Sequence, residues 1–147
     1  MNKIRVAGLT IAATTAVVAV AGCGLGEGVT ESSNGHVKTV SYTSGTEGKN
    51  NAEARLPGWV PVEAKSVTEV IRTTGSERIL RYTSVGVPST CSPGPAATAA
   101  ATLTASWWPH GQEGKADRVC DQDWHVFVEG DTVYAFRPET IEHGPAS

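Results

Sequence analysis

Short runs of β-branched residues, separated by glycine turns, constrain this chain more than any other feature of its sequence. Ser66–Thr74 and Glu77–Ser84 are two such runs, and the pair between them, Gly75-Ser76, has glycine first, as many two-residue hairpin turns do. Val, Ile and Thr lose rotamer freedom in a helix but fit a pleated sheet well. We therefore expect these residues to form an antiparallel hairpin.

A second hairpin is predicted near the C-terminus. Arg118–Glu129 and Thr132–Arg137 have strand character, and Gly130-Asp131 forms the tight turn between them. Successive side chains of a strand point to opposite sides, so alternate residues share a face. One face of the first run is then apolar, with Trp124, Val126 and Val128.

One further strand completes the predicted sheet. Thr102–Trp108 reads as a strand that stops at Pro109, and Ala96–Ala101 has the composition of a short helix, weakened by Thr98. The sequence thus predicts a mainly β fold: a small antiparallel sheet of about five strands and two hairpins, with or without one short helix. An α+β arrangement is the alternative.

The chain of 147 residues is expected to contain one small domain, at residues 55–140. Residues 23–54 are rich in Gly, Ser and Asn and are expected to form a flexible tether, because such a composition buries too little apolar surface to offset chain entropy. Val37–Thr43 is the strand-like part of this tether, and it either joins the sheet or remains an apolar patch in a linker. Residues 141–147 are polar and are expected to fray.

The N-terminus has the plan of a secretory signal. Residues 1–5 are short and positive, Val6–Ala21 is free of charge and mostly apolar, and small residues follow. The apolar stretch is diluted by threonine and is shorter than the roughly 20 residues that cross a bilayer comfortably. Residues 1–22 are therefore predicted to be a cleaved signal peptide.

The end of this segment, Val20-Ala21-Gly22-Cys23, resembles the lipobox of bacterial lipoproteins. The resemblance covers residues 1–23 only. It implies cleavage between Gly22 and Cys23, a diacylglyceryl group on the Cys23 sulfur, and acyl chains such as palmitate that anchor an exported protein to the outer face of the cell membrane. The alternative is an ordinary cleaved signal peptide with a cysteine at this position by chance.

Lipidation of Cys23 would leave two cysteines, Cys91 and Cys120. Because export leads to a compartment that permits disulfides, the even remainder predicts a bridge between them. Such a bridge would contribute about 3 kcal/mol in the chain-entropy model. Two reduced thiols are the alternative.

Charge limits the partners of this chain. The formal net charge is −3 at pH 7, and loss of the signal peptide would remove Lys3 and Arg5 as well. Nucleic acid is therefore excluded as an expected partner, because phosphate binding needs a basic face. The expected partners are the membrane, through the lipid, and an unidentified envelope protein or glycan.

Two groups of residues are candidate binding sites. Asp121, Asp123 and His125 alternate along the predicted strand, so they would share a face that could bind a cation; an ordinary solvated face is the alternative. Trp107, Trp108 and Trp124 could stack on a sugar ring or fill a partner's pocket. Packing in the core is the other interpretation of these tryptophans.

Catalytic motifs are missing from the sequence. It contains no Gly-x-Ser-x-Gly, Ser-x-x-Lys or His-Glu-x-x-His motif and no phosphate-cradling glycine loop, so no catalytic residue, metal site or cofactor is expected. The favoured hypothesis is a non-catalytic, membrane-anchored lipoprotein whose domain binds a ligand or supports an envelope assembly. A small envelope enzyme or an enzyme inhibitor is the alternative.

Overall fold

The computed structural model describes residues 36–140 and the backbone of residues 30–32. Eight strands form one antiparallel sheet in the order β1-β2-β3-β4-β8-β7-β6-β5. The elements in chain order are β1 (Thr30–Ser32), β2 (Val37–Ser44), α1 (Gly45–Asn50), β3 (Lys65–Arg72), β4 (Arg78–Thr83), β5 (Ser92–Pro93), a 3-10 turn (Glu113–Lys115), β6 (Arg118–Cys120), β7 (Trp124–Glu129) and β8 (Thr132–Arg137). The mainly β prediction is confirmed.

Both predicted hairpins are present. Strands β3 and β4 pair antiparallel, and their connection is longer than two residues, since the Arg72 N–H donates to the Glu77 carbonyl oxygen at 3.0 Å. Strands β7 and β8 pair around a tight turn in which Gly130 has φ of 62°, a left-handed conformation that glycine adopts at little cost. The two hairpins join side by side through β4 and β8.

The single strand predicted for Arg118–Glu129 is wrong, because the chain reverses within it. Strands β6 and β7 pair with each other, and Cys120 lies opposite Trp124. The reversal passes through Gln122 and Asp123, whose φ angles of 66° and 60° are left-handed. Two short antiparallel strands therefore replace one long strand, and the alternation assumed across residues 121–125 is lost.

The strand predicted for Thr102–Trp108 is also wrong, and Ala96–Ala101 is not helical. The backbone N–H groups of Thr102 and Leu103 both donate to the carboxylate of Glu77, so this segment finds its hydrogen bonds away from any neighbouring strand. The segment instead covers one face of the sheet as irregular chain.

The folded part begins earlier than residue 55, so the tether predicted for 23–54 is wrong at Thr30–Ser32, which form β1, and again from Val37 onward. Strand β2 pairs along β3 and buries Val40 and Tyr42. The Tyr42 hydroxyl donates to the carbonyl oxygen of Ala54 at 2.7 Å, which fixes the chain after α1. Burial of these two side chains supplies the apolar area that composition alone did not indicate. Residues 23–29 lie outside the described residues.

Helix α1 begins at an N-capping pattern in the sequence, although residues 45–50 contain two glycines and are not typical of a helix. Ser44 caps its N-terminus, accepting from the Glu47 N–H at 3.2 Å, and Glu47 accepts in return from the N–H and hydroxyl of Thr43, each at 2.7 Å. A serine followed three residues later by glutamate is the capping-box pattern. The short helix therefore lies here and not at residues 96–101.

Both faces of the sheet are buried. The first face carries Val40, Leu80, Val126 and Val133, and residues 45–64 cover it with Leu56, Trp59 and Val60. The second face carries Val70, Ile79, Phe127 and Phe136, and residues 97–116 cover it with Leu103 and Trp108. The described part of the chain contains no helix that is long and apolar enough to span a membrane. The predicted signal peptide, cleavage site and lipidation site at residues 1–23 lie outside the described residues, as does the predicted tail.

Candidate functional site

A cleft of about 460 Å³ opens at one end of the first sheet face, between residues 55–59 and the turn at residues 121–122. Its lining contains four charged residues: Arg55, Arg78, Asp121 and Arg137. Arg55 and Asp121 are exposed at the rim, whereas the side chains of Arg78 and Arg137 are partly buried. The formal charge of this lining is positive even with Asp121 counted. We call it the arginine cleft.

Strand pairing places two of these arginines side by side. Arg78 of β4 and Arg137 of β8 are direct cross-strand partners, and both lie on the first face because they alternate with Ile79 and Phe136. Like charges directly opposite each other on an antiparallel pair are destabilising unless an anion lies near them. The register therefore concentrates positive charge at the floor of the arginine cleft.

Glu69 is the internal counter-ion of Arg78. It lies on the first face of β3 and is 0% exposed, and its Oε1 accepts from Nη1 of Arg78 at 3.2 Å. Its Oε2 is buried and has no hydrogen-bond partner in the described part of the chain. Burial raises the pKa of Glu69 to about 7, and the Arg78 guanidinium opposes this only in part.

Two tryptophans form the apolar wall of the arginine cleft. Trp59 and Trp124 meet edge to face with ring centroids 5.6 Å apart, and they are 6% and 1% exposed. Among the described residues, Nε1 of Trp59 and Nε of Arg137 are buried without a hydrogen-bond partner. An unpaired buried donor carries a desolvation cost of about 1–3 kcal/mol. The lining is therefore short of acceptors.

The chemistry of the arginine cleft suits a small anion. A guanidinium presents parallel N–H donors that match a carboxylate, sulfate or phosphoryl group, and neighbouring guanidiniums act on the same anion. Apolar walls keep the local dielectric low and strengthen the attraction. The described lining of the cleft contains no nucleophile paired with a base.

The predicted cation face is only partly assembled. Asp123 and His125 line one cleft, whereas the β6–β7 turn places Asp121 in the lining of the arginine cleft. Asp121 and Asp123 lie in the turn and are exposed, while His125 lies on the second face of β7, stacked on Phe136 with centroids 5.4 Å apart. Burial lowers the pKa of His125, and the Asp123 carboxylate opposes the shift. In the part of the chain that the structure describes, no group of three or more His, Cys, Asp or Glu side chains is placed to hold a metal ion.

The three candidate tryptophans fall in different places. Trp124 lies in the wall of the arginine cleft. Trp108 is 4% exposed in the core of the second face, where its Nε1 donates to Glu113 at 3.2 Å. Trp107 is partly exposed and lines a second cleft of about 470 Å³, with the Arg81 guanidinium 5.0 Å from its ring centroid. One face of the Trp107 ring is thus already occupied by a cation.

The predicted bridge between Cys91 and Cys120 is present, with the Cα atoms 4.3 Å apart. Both cysteines are buried in the core of the first face, where Cys91 lies in the loop that leads into β5. The bridge therefore ties this loop to β6. It also holds the chain just before the turn that borders the arginine cleft.

Sequence reasoning missed Glu69, Arg78 and Arg137, although one signal for Glu69 was available. Glu69 has the same alternation as Val67 and Ile71, so a buried strand face had to contain a carboxylate. Arg78 and Arg137 are adjacent only because β4 pairs with β8. The amino-acid sequence does not indicate that these two strands are neighbours. No family model, curated protein or solved structure matches the chain.

Proposed function

We propose that this protein is a lipid-anchored, exported binding module whose arginine cleft binds a small anionic group. The observation that carries the binding part is the register of Arg78 against Arg137, with Glu69 as the single carboxylate bonded to this pair within the described residues. A cleft with more guanidinium groups than carboxylates is suited to an added anion. The ligand class is a carboxylate, sulfate or phosphoryl group, free or at the end of a larger envelope molecule.

The anchoring part of the proposal rests on the lipobox-like segment Val20–Cys23. Two or more acyl chains on one residue hold a protein stably, because each buried CH₂ contributes about 0.8 kcal/mol. An acidic chain needs no electrostatic attraction to anionic lipid when it has such an anchor. The module would then present its cleft outside the cell membrane.

Mass spectrometry of the native protein tests the anchor. We expect a mature chain that begins at Cys23 and carries diacylglyceryl and acyl groups, and we expect Cys23→Ala to move from the membrane fraction to the soluble fraction. An unmodified start, or a start at another residue, would remove the anchor from the proposal. The binding part is tested separately.

Isothermal titration of the purified lipidated protein, in detergent, tests the arginine cleft. The probes are sulfate, inorganic phosphate and acetate, at pH 6 and constant ionic strength. We expect one saturable site per chain, and about 10- to 100-fold weaker binding after Arg137→Gln, because one charge-assisted hydrogen bond is worth about 1.5–3 kcal/mol.

Arg81→Gln is the matched control. It removes the same charge from β4, the strand that pairs with β8. Arg81 alternates with Leu80 and Tyr82, however, and so lies on the second face. Its affinity should equal that of the unchanged protein. Absence of saturable binding for all three anions, or an equal loss in both variants, would contradict the anion-binding proposal.

A further inference from the structure

Glu69 is an unexpected side chain beneath an anion-binding site, because it is itself an anion. A carboxylate at 3.2 Å from Arg78 neutralises part of the charge that would attract a ligand. Glu69 is also completely buried, and a buried charge is tolerated only when it is well paired. With Oε2 unpaired among the described residues, the pairing of Glu69 is incomplete.

The two partners of this ion pair differ in their surroundings. Arg78 is 32% exposed at its side chain and lines the arginine cleft, whereas Glu69 is 0% exposed beneath it. A ligand in the cleft can therefore reach Arg78 but cannot reach Glu69. Water can hydrate the guanidinium when the pair opens, but the carboxylate has no such compensation.

We propose that Glu69 competes with the ligand for Arg78, so that an anion entering the arginine cleft takes over the guanidinium while Glu69 binds one proton from solvent. This proposal rests on the proposed function, since it requires an anion in that cleft. The protonated Glu69 is neutral and can remain buried without a counter-ion. Anion binding would thus be coupled to proton uptake and would be tighter in acid.

The charged and titratable side chains that share the first face with Glu69 include Lys38 and Tyr42 of β2, Arg78 and Tyr82 of β4, and Arg137 of β8. The lining of the arginine cleft adds Arg55 of the covering segment and Asp121 of the β6–β7 turn. Lys38 is bonded to Glu53 at 3.0 Å, and burial raises the pKa of Tyr82 further above neutrality. Because burial brings the pKa of Glu69 to about 7, its protonation falls in the neutral range.

The experiment is a sulfate titration between pH 5.5 and 8, since sulfate keeps its charge over this range. For the unchanged protein we expect about tenfold weaker binding at pH 8 than at pH 5.5, because each unit above the Glu69 pKa costs a factor of ten when protonation is required. Titrations in two buffers of different ionisation enthalpy should show uptake of up to one proton per sulfate near pH 7.5.

Two isosteric variants test whether the pH dependence of sulfate binding comes from Glu69 or from buried carboxylates in general. Glu69→Gln should bind sulfate at both pH values as tightly as the unchanged protein does at pH 5.5, and without proton uptake. Glu113→Gln changes a buried carboxylate on the second face, bonded to Trp108, and should keep the pH dependence. Far-UV circular dichroism establishes that each variant is folded.

The outcomes distinguish this inference from the proposed function. Sulfate binding with equal affinity at pH 5.5 and 8 and no proton uptake would overturn the role of Glu69 and leave the anion site intact. No sulfate binding at any pH, in either the unchanged protein or Glu69→Gln, would overturn both. If Glu69→Gln does not fold, proton uptake by the unchanged protein still decides the question.

Discussion

At the scale of single residues, Glu77 organises the second face of the sheet. Its side chain is 1% exposed and accepts from the N–H and hydroxyl of Thr102, the N–H of Leu103 and the Arg72 guanidinium. Burial alone would raise the pKa of Glu77, but these hydrogen bonds outweigh it and lower the pKa. One carboxylate thus secures the segment that covers Val70 and Phe136.

Replacing Glu77 by glutamine should destabilise the protein by about 2 kcal/mol, because buried donors lose a charged acceptor. Urea unfolding at pH 7 measures this, and exposed Glu63→Gln serves as the control. A carboxyl group with a lowered pKa stabilises the fold above its unfolded pKa, so the difference should shrink as the pH falls below about 4. Equal stability of Glu77→Gln and the unchanged protein would contradict the assigned role.

Glu69 should have the opposite effect from Glu77 on the pH dependence of stability, because its pKa is raised in the folded protein. Its folded pKa is about 7, above the value of about 4.3 in an unfolded chain, so the folded state binds more protons between these pH values. The free energy of unfolding should therefore fall as the pH rises from about 5 to 7, by at most about 1.4 kcal/mol per unit. Denaturant titrations at several pH values should show that the stability of Glu69→Gln rises relative to that of the unchanged protein as the pH increases over this range. Parallel pH profiles of the two free energies of unfolding would refute the prediction.

At the scale of elements, the junction between β2 and α1 shows why a glycine-rich segment folds here. The Gly45 N–H donates to the Ala64 carbonyl at 2.8 Å, and a side chain on Gly45 would collide with the backbone of Pro61. A side chain on Gly48 would collide with Leu56 and Tyr42. Small residues therefore allow α1 to pack closely on the chain that returns to β3.

Gly45→Ala should destabilise the domain by about 1–3 kcal/mol, since overpacking against fixed backbone forces the two segments apart. Gly58→Ala is the matched control, because a Cβ there meets no heavy atom within 4 Å, and it should be neutral or slightly stabilising. Thermal unfolding followed by circular dichroism compares the two. The same melting temperature for both variants would rule out the close approach at Gly45.

At the scale of the whole molecule, two hairpins and two covering segments depend on one distant pairing. Strand β4 meets β8 through partners as far apart as Arg78 and Arg137, and this contact joins the halves of the sheet. Loop closure over such a distance has an entropic cost that grows slowly with its length. The Cys91–Cys120 bridge reduces that cost within the second half by shortening the loop before β6.

Reduction of the disulfide should lower the melting temperature, with a loss of about 3 kcal/mol for a loop of this length. The double variant Cys91→Ser, Cys120→Ser should melt at the same temperature as the reduced protein. Thiol titration of the unfolded, unreduced mature protein should detect no free cysteine. Two reactive thiols, or a melting temperature that reduction does not change, would show that the bridge contributes nothing in solution.

The sequence by itself determined the β class, both hairpins, the apolar face of Trp124 and Val126, and the pairing of Cys91 with Cys120. These depend on local propensity, turn residues and cysteine number, which act over a few neighbouring positions or by counting. Only the tertiary structure decided that Val37–Ser44 joins the sheet and that residues 97–116 cover it as irregular chain. It alone placed Arg78 beside Arg137 above Glu69, because strand neighbours and the burial of a carboxylate are set by contacts between distant parts of the chain.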